Sequence, residues 1–302
     1  MCCLFGIYDY GHSLTAAQKK RLVSALAVAS EDRGTDATGI AYNHNGHLTV
    51  YKRPYPAHLM RFRLPDDAVC IMGHTRMTTQ GDEKHNYNNH PFEGTAGIPF
   101  ALAHNGVLYN DLALRKDKKL PYTRIETDSY VAVQLLAQQD DLSFRSIRST
   151  VEPLRGTLTL SVLDSRDNLY IIKGNNPLTL YHFPRMGLYV YASTEQILKK
   201  GLKKGMPRME QPFEVMLREG DILRIDRQGQ YTVECFDTRN LWDGTAHFSW
   251  PYWDVYAGQD EYINDLKSAA SAYGYTPHDI DVFLSYGLCP EEIEEILCCW
   301  EV

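Results

Sequence analysis

The sequence predicts an α+β fold: two stacked antiparallel sheets covered by helices, with a small helical appendage toward the C-terminus. Three observations lead there. From Arg155 to Phe236 the chain is a succession of short apolar runs broken by Asp, Asn and Gly, the texture of antiparallel strands and turns. Strand candidates recur near the N-terminus with helical stretches between, so both ends of the segment contribute sheet and the helices have faces to cover. A chain of 302 residues, 44% hydrophobic and 23% charged, can bury such a core and is far from the composition of a disordered one.

The elements follow in order. Leu4–Tyr8 is short and apolar, a buried strand. Thr15 and Gln18 have the spacing of a capping box, and Leu22, Leu26 and Ala29 continue on one face as i, i+4 and i+7, so a helix starts there. Glu31–Gly39 is polar with two glycines and reads as a loop. Asn45-Gly46 between IAYNH and HLTVY signals a hairpin. Ala68–Met72 is a strand candidate running into GHTRMTTQG, and Phe100–His104 is another, expected to end at Asn105-Gly106. Thr127–Gln138 is expected to be helical. Strands are expected at 158–164, 169–173, 178–183 and 188–192, a helix over 194–202, and a hairpin from Ile222–Ile225 and Tyr231–Phe236 around Gln228-Gly229.

Composition excludes several functions. No apolar run approaches the ~18 residues of a membrane span, and the opening MCCLFGIYDYGH lacks the basic start and long apolar core of a secretory leader. Seven scattered cysteines, an odd number, do not form a disulfide framework and suit a reducing, cytoplasmic setting. The formal net charge of -7 gives no reason to expect nucleic acid.

The charge is unevenly spread. Residues 259–302 hold ten acidic residues against one lysine, leaving the remainder slightly basic. The expected organisation is a main domain over 2–245, a linker over 246–258 around Trp250–Trp253, and an acidic helical region over 259–302. Three short helices are expected in that region. One spans about 261–273, the second starts at Thr276-Pro277 with Thr as N-cap, and the third runs from Pro290 to Trp300 with Ile293, Ile296, Leu297 and Trp300 on one face.

Cys2 is the sharpest chemical feature. If Met1 is removed, one residue carries both a thiol and a free α-amine, and an amine with a reference pKa of ~7.7–8.0 can serve as base for its own side chain. Alone, that is only a cysteine in second position. It has company, however. MCCLFG resembles the MCGIFG opening of the class II, N-terminal-nucleophile glutamine amidotransferases; RGTDATG from Arg33 resembles their RGPDASG, and GHTRMTTQG from Gly73 their GHTRWATHG. Asn89-His90-Pro91 resembles NAHP, AHNGVLYN from Ala103 resembles VHNGIIEN, and ETDSYVAVQLL from Glu126 resembles ETDTEVIAHLI. LRGTLTLSVLD from Leu154 and YASTEQIL from Tyr191 resemble the strand and following run further on. Order and spacing match across about residues 2–240.

The resemblance implies a four-layer αββα N-terminal-nucleophile hydrolase sandwich and a set of roles. Cys2 would attack the side-chain amide of glutamine. Asn105 and Gly106 would form the oxyanion hole, and Arg76 would take the substrate α-carboxylate, which suits a guanidinium fork. Asp128 would hold the α-ammonium, Thr79 would contact the substrate, and Arg33 would support the nucleophile's surroundings. No metal and no other cofactor is expected: His74, His90 and His104 invite a metal reading, but an N-terminal amine needs no metal, and Cys298-Cys299 lacks the spacer of a zinc pair. The chain departs from the family pattern at Cys3, where a glycine is usual, and at Met77 and Gln80. Cys3 is expected to add bulk and a second, oxidisable thiol beside the active centre.

Three functions stay open. One is a stand-alone glutaminase subunit supplying a separate ammonia-acceptor enzyme, docked through the main domain or the C-terminal helices. A second is an independent amidohydrolase acting on another γ-glutamyl or amide substrate. The third is a non-catalytic binding protein on the same scaffold. Glutamine or a glutamine-like small molecule is the expected ligand; neither nucleic acid nor membrane is an expected partner.

Overall fold

A computed structural model describes residues 2–207, 210–241, 263, 266, 267, 270, 275–285, 288 and 293. The chain divides into two compact units, Met1–Thr245 and Ala246–Val302.

In the first unit, side-chain alternation along the strands sorts apolar residues into three contact layers. On β1 (Cys3–Asp9), Cys3, Phe5 and Ile7 face one way and Leu4 and Tyr8 the other. The first set packs with Leu22, Val23 and Leu26 of α1 (Ala16–Ala29) and with Ile197 and Leu198 of α5 (Glu195–Gly205). The second set meets Ala101, Ala103, Leu163 and Ile171 of the other sheet, closing an apolar layer between the sheets. A third layer joins that sheet to Val131, Leu135 and Ile147 of α3 (Tyr130–Ala137) and α4 (Phe144–Val151). The stacking is therefore helix, sheet, sheet, helix, as the sequence predicts.

One sheet has seven strands in the order β11 (Phe213–Glu214), β9 (Thr179–Phe183), β10 (Leu188–Ala192), β1, β4 (Cys70–Arg76), β2 (Ala37–His44), β3 (His47–Arg53). The other has six: β13 (Tyr231–Cys235), β12 (Asp221–Ile225), β8 (Leu169–Lys173), β7 (Gly156–Asp164), β6 (Ile98–Leu108), β5 (Phe92–Ala96). Pairing is antiparallel throughout these neighbours.

Local signals explain the element ends. Thr15 and Gln18 form the capping box of α1, and Thr194 caps α5. Asn45 and Gly46 both take positive φ, 50° and 75°, as the tight β2–β3 hairpin requires. Two expectations need correction. The strand beginning near Phe100 does not end at Asn105-Gly106; β6 continues to Leu108, because Asn105 and Gly106 pair with Thr159 and Leu158 of β7. The helix expected from Thr127 starts only at Tyr130, and Thr127–Ser129 form its approach. The helix α2 (Asp111–Asp117), α4 and β5 were not expected from the sequence.

In the second unit, α6 (Pro277–Ser285) starts where the Thr276-Pro277 signal places it, and Asp279 N–H donates to Thr276 Oγ1 at 3.3 Å. Leu266, Ala270, Ile280 and Ile293 are buried together. The linker, most of the first and third tail helices, Ile296, Leu297, Trp300 and Cys298-Cys299 lie outside the described residues. No helix among the described residues is long and apolar enough to cross a membrane.

Candidate active site

The same alternation gathers polar groups at one end of the space between the sheets. Cys2 shares the inner face of the first sheet with Leu4; His74 and Arg76 follow Met72 on the inner face of β4; Asn105 follows Ala101 and Ala103 on the inner face of β6. Past β10, Ser193 continues the inner face of Tyr189 and Tyr191. These positions lie where the apolar interlayer gives out.

Ser193 joins three of these strands. Leu4 N–H donates to Ser193 Oγ at 2.8 Å, Ser193 N–H donates to the Leu4 carbonyl at 2.9 Å, and Asn105 Nδ2 stands 3.5 Å from the same hydroxyl. Asn176 Nδ2 donates to the Asn105 carbonyl at 2.9 Å. The Asn105 side chain is thus buried but only loosely committed. Gly106 has φ 149°, and a Cβ there would lie 2.0 Å from the Thr157 carbonyl oxygen and 2.6 Å from His104 Nε2, so only glycine fits.

Cys2 sits under the loop that follows β4. Its Sγ is 3.5 Å from the Met77 carbonyl, and its own carbonyl accepts from Arg33 Nε at 2.9 Å. Burial pushes the thiol above its usual pKa; the Met77 backbone and the Arg76 guanidinium oppose that rise, and Asp128 adds to it. The charges of Arg76 and Asp128 therefore both reach the sulfur. A raised thiol needs a base before it can act as nucleophile.

Arg76 is buried and organises its surroundings. Its Nη1 donates to Asn89 Oδ1 at 2.7 Å, and Nη2 donates to the carbonyls of Gln80 at 2.5 Å and Gly81 at 2.9 Å. Burial lowers its pKa, against the charges of Cys2, Glu83, Asp128 and Asp36. Gly34, in the RGTDATG segment, packs on the Arg76 backbone so closely that a Cβ would stand 2.5 Å from the Arg76 carbonyl carbon. Asp36 Oδ2 accepts from Thr78 N–H at 2.6 Å. Thr79 and Gln80 are exposed on the loop, and Met77 is 51% exposed.

Asp128 is buried on the opposite side. Its Oδ2 accepts from Leu108 N–H at 2.7 Å, which ties the approach to α3 to the end of β6. Asn88 links both sides: Nδ2 donates to Glu126 Oε2 and to the Asp82 carbonyl, and Oδ1 accepts from Glu126 N–H. Lys52 on β3 donates from Nζ to the carbonyls of Asn89 and Pro91, and burial pushes its pKa down to about 8.

The three histidines are buried and kept neutral. Burial pushes His74 down to about 3, His90 well below its ordinary value and His104 in the same direction. His74 Nε2 donates to the His104 carbonyl across the two sheets at 3.0 Å. Among the described residues no group of His, Cys, Asp and Glu has the arrangement of a metal site.

The structure thus brings Cys2, Arg33, Arg76, Asn105, Gly106 and Asp128 to one end of the sandwich and leaves Thr79 exposed on the loop. Cys3 requires a correction. It is fully buried on the outer face of β1 with the α1 side chains, so its thiol points away from the Cys2 side rather than lying beside it. Sequence reasoning missed Ser193, Asn88, Asn89 and Lys52. Ser193 and Asn89 lay inside recognised motifs without a role; Asn88 and Lys52 carried no signal.

No family model matches the chain. A glutamine–fructose-6-phosphate aminotransferase of Listeria innocua is 31% identical over 227 residues, covering 71% of this chain and 37% of the relative. One from Bacillus anthracis is 32% identical over 157 residues, covering 49% of this chain and 26% of the relative. The chain thus spans between about a quarter and two fifths of the length of these curated relatives. The solved glutamine phosphoribosylpyrophosphate amidotransferase of Bacillus subtilis, 19% identical, superposes with a TM-score of 0.60 over 79% of this chain and 50% of that one, a likeness of fold. Motif order, relatives and fold agree: the chain carries a class II glutamine amidotransferase domain of the N-terminal-nucleophile kind.

Proposed function

We propose that this domain hydrolyses the side-chain amide of glutamine through Cys2 and passes the ammonia to an acceptor centre outside it. The convergence of Cys2, Asn105, Arg76 and Asp128 at one end of the inter-sheet space carries this reading. With Met1 removed, the α-amine of Cys2 takes the thiol proton, and the sulfur attacks the amide carbon. Asn105 Nδ2 and the Gly106 N–H receive the oxyanion. The amine returns its proton to the leaving nitrogen, ammonia departs, and water hydrolyses the γ-glutamyl thioester to glutamate.

Selection of an amino acid over a bare amide falls to Arg76 and Asp128. The loop contacts occupy part of the Arg76 N–H set, and the remainder would meet the α-carboxylate. Asp128 would receive the α-ammonium. Delivery to an acceptor is supported by the relatives' names, which describe transfer from glutamine to fructose 6-phosphate.

The test is intact mass together with ammonia release from glutamine, wild type against Cys2→Ala. Loss of Met1 and release that vanishes in Cys2→Ala are expected, as is labelling of Cys2 by an electrophilic glutamine analogue. Active protein that retains Met1 would sink the mechanism.

A further inference from the structure

His104 is assigned no chemical step, although its ring packs against Gly106, and its imidazole bonds on both sides. Nε2 stands 3.1 Å from the Thr157 carbonyl, and Nδ1 stands 2.7 Å from Ser129 Oγ. A carbonyl only accepts, so Nε2 carries the hydrogen; in a neutral ring Nδ1 then has only a lone pair and must accept. Ser129 has one hydroxyl hydrogen and two claimants for it: His104 Nδ1 at 2.7 Å and Asp128 Oδ1 at 3.2 Å.

We propose that His104 is a positioning residue for the α-ammonium end of the substrate: it draws the Ser129 hydroxyl hydrogen to itself and so keeps Asp128 Oδ1 open for an ammonium. The other carboxylate oxygen, Oδ2, is already taken by Leu108 N–H. If Nδ1 could not accept, the Ser129 hydroxyl would turn to Oδ1 and compete with the incoming cation for the same lone pairs. This inference rests on the reading of Asp128 as the ammonium site.

The surroundings keep the ring in the required state. His104 lies on β6 with its carbonyl bonded to His74 of β4, and Asp128, His74 and His90 are the titratable groups around it. Burial favours the neutral ring and Asp128 opposes that effect.

The experiment is a double-mutant cycle read as KM and kcat for glutamine. His104→Gln keeps an N–H for the Thr157 carbonyl, and with that nitrogen so engaged its amide oxygen, borne on the same carbon, no longer occupies the Nδ1 position to which Ser129 donates. It is expected to raise KM about tenfold with a smaller effect on kcat. Adding Ser129→Ala removes the competing hydroxyl and is expected to bring KM back toward the wild-type value. With 4-carbamoylbutanoate, which is glutamine without its α-amine, His104→Gln should leave KM unchanged. A double variant no better than His104→Gln overturns the inference, because a merely structural histidine would give additive damage. If His104→Gln does not fold, wild type and Ser129→Ala are compared through the acid range well below 6.5, because burial holds the His104 ring neutral beneath the ordinary imidazole value. KM for glutamine should climb more steeply in wild type, and parallel profiles overturn the inference. Absence of Cys2-dependent ammonia release in wild type would instead overturn the glutaminase reading and this inference with it.

Discussion

Asn105 and Gly106 stand inside a ladder, paired with β7 and with the Asn105 carbonyl held by Asn176, whereas Arg76, the last residue of β4, turns to a loop that pairs with no strand. Between Met77 and Asn89 the backbone is held by side chains reaching to its carbonyls. Arg76 takes Gln80 and Gly81, Asn88 takes Asp82, Asn89 takes Glu83, and Lys52 takes Asn89 itself. The strand edge suits a group that must meet a developing charge at a set distance. The loop edge suits one that must admit a substrate and then hold it. Damage on the two edges should accordingly fall on different kinetic constants.

The largest effect is expected on the strand edge. Asn105→Ala removes one oxyanion donor and should lower kcat for glutamine hydrolysis by ~10²–10³, with KM changed far less. A loss expressed mainly in KM would mean that Asn105 binds the ground state, and the contrast between the edges would collapse.

Acid should loosen the strand edge by another route. His74 joins the two sheets through the His104 carbonyl, and burial holds its pKa at about 3 against an ordinary 6.5. Between those values the unfolded chain binds a proton that the folded chain refuses, so stability falls as the pH drops from 6.5 toward 3. The expected loss, read from urea unfolding at pH 7, 6 and 5, reaches about 2 kcal/mol by pH 5. His74→Gln, which can still donate to the His104 carbonyl, should make the profile shallower, leaving the contributions of His90 and His104. Equal stability at pH 7 and pH 5 would show that the ring is not buried as described.

On the loop edge, Asn89→Ala removes the acceptor for Arg76 Nη1 and the donor to the Glu83 carbonyl. KM for glutamine should rise about tenfold, kcat should change less, and unfolding free energy should fall by about 1–3 kcal/mol. A kcat loss equal to that of Asn105→Ala would erase the distinction between the edges.

The same contrast explains what could be read in advance. Strand-borne groups follow period-two alternation, so the two-sheet stack and the capped α1 were legible, and the apolar runs around them carried the motifs. Asn105-Gly106 misled because that dipeptide is a turn signal in isolation; only pairing with β7, 50 or so residues away in sequence, overrides it. Cys3 misled because adjacency in sequence puts neighbouring strand residues on opposite faces. The loop edge was opaque for a different reason: side-chain bonds to backbone carbonyls leave no periodic trace, and nothing about a lysine in HLTVYKR indicates that it will bind the Asn89–Pro91 segment.

Lys52→Met gives the smallest effect and the sharpest reading of that loop. Methionine keeps an apolar stem near the Phe92 ring, over which the ammonium sits at 4.9 Å, and removes the charge and its two carbonyl contacts. At neutral pH the relief of a buried cation and the loss of two hydrogen bonds oppose each other, so the net change in stability should be small. Raising the pH separates them. Below about 8 the folded wild type carries the full cost of the charged lysine; between about 8 and 10.5 the unfolded chain keeps a proton that the folded chain has released, so wild-type stability gains with pH while the variant lacks this contribution. Urea unfolding at pH 7.5 and 9.5 should therefore show the wild type gaining about 1–3 kcal/mol on the variant. A difference that does not move with pH would mean that Lys52 titrates as a free lysine, and the hold on Asn89 would then fall to Arg76 and the Glu83 carbonyl.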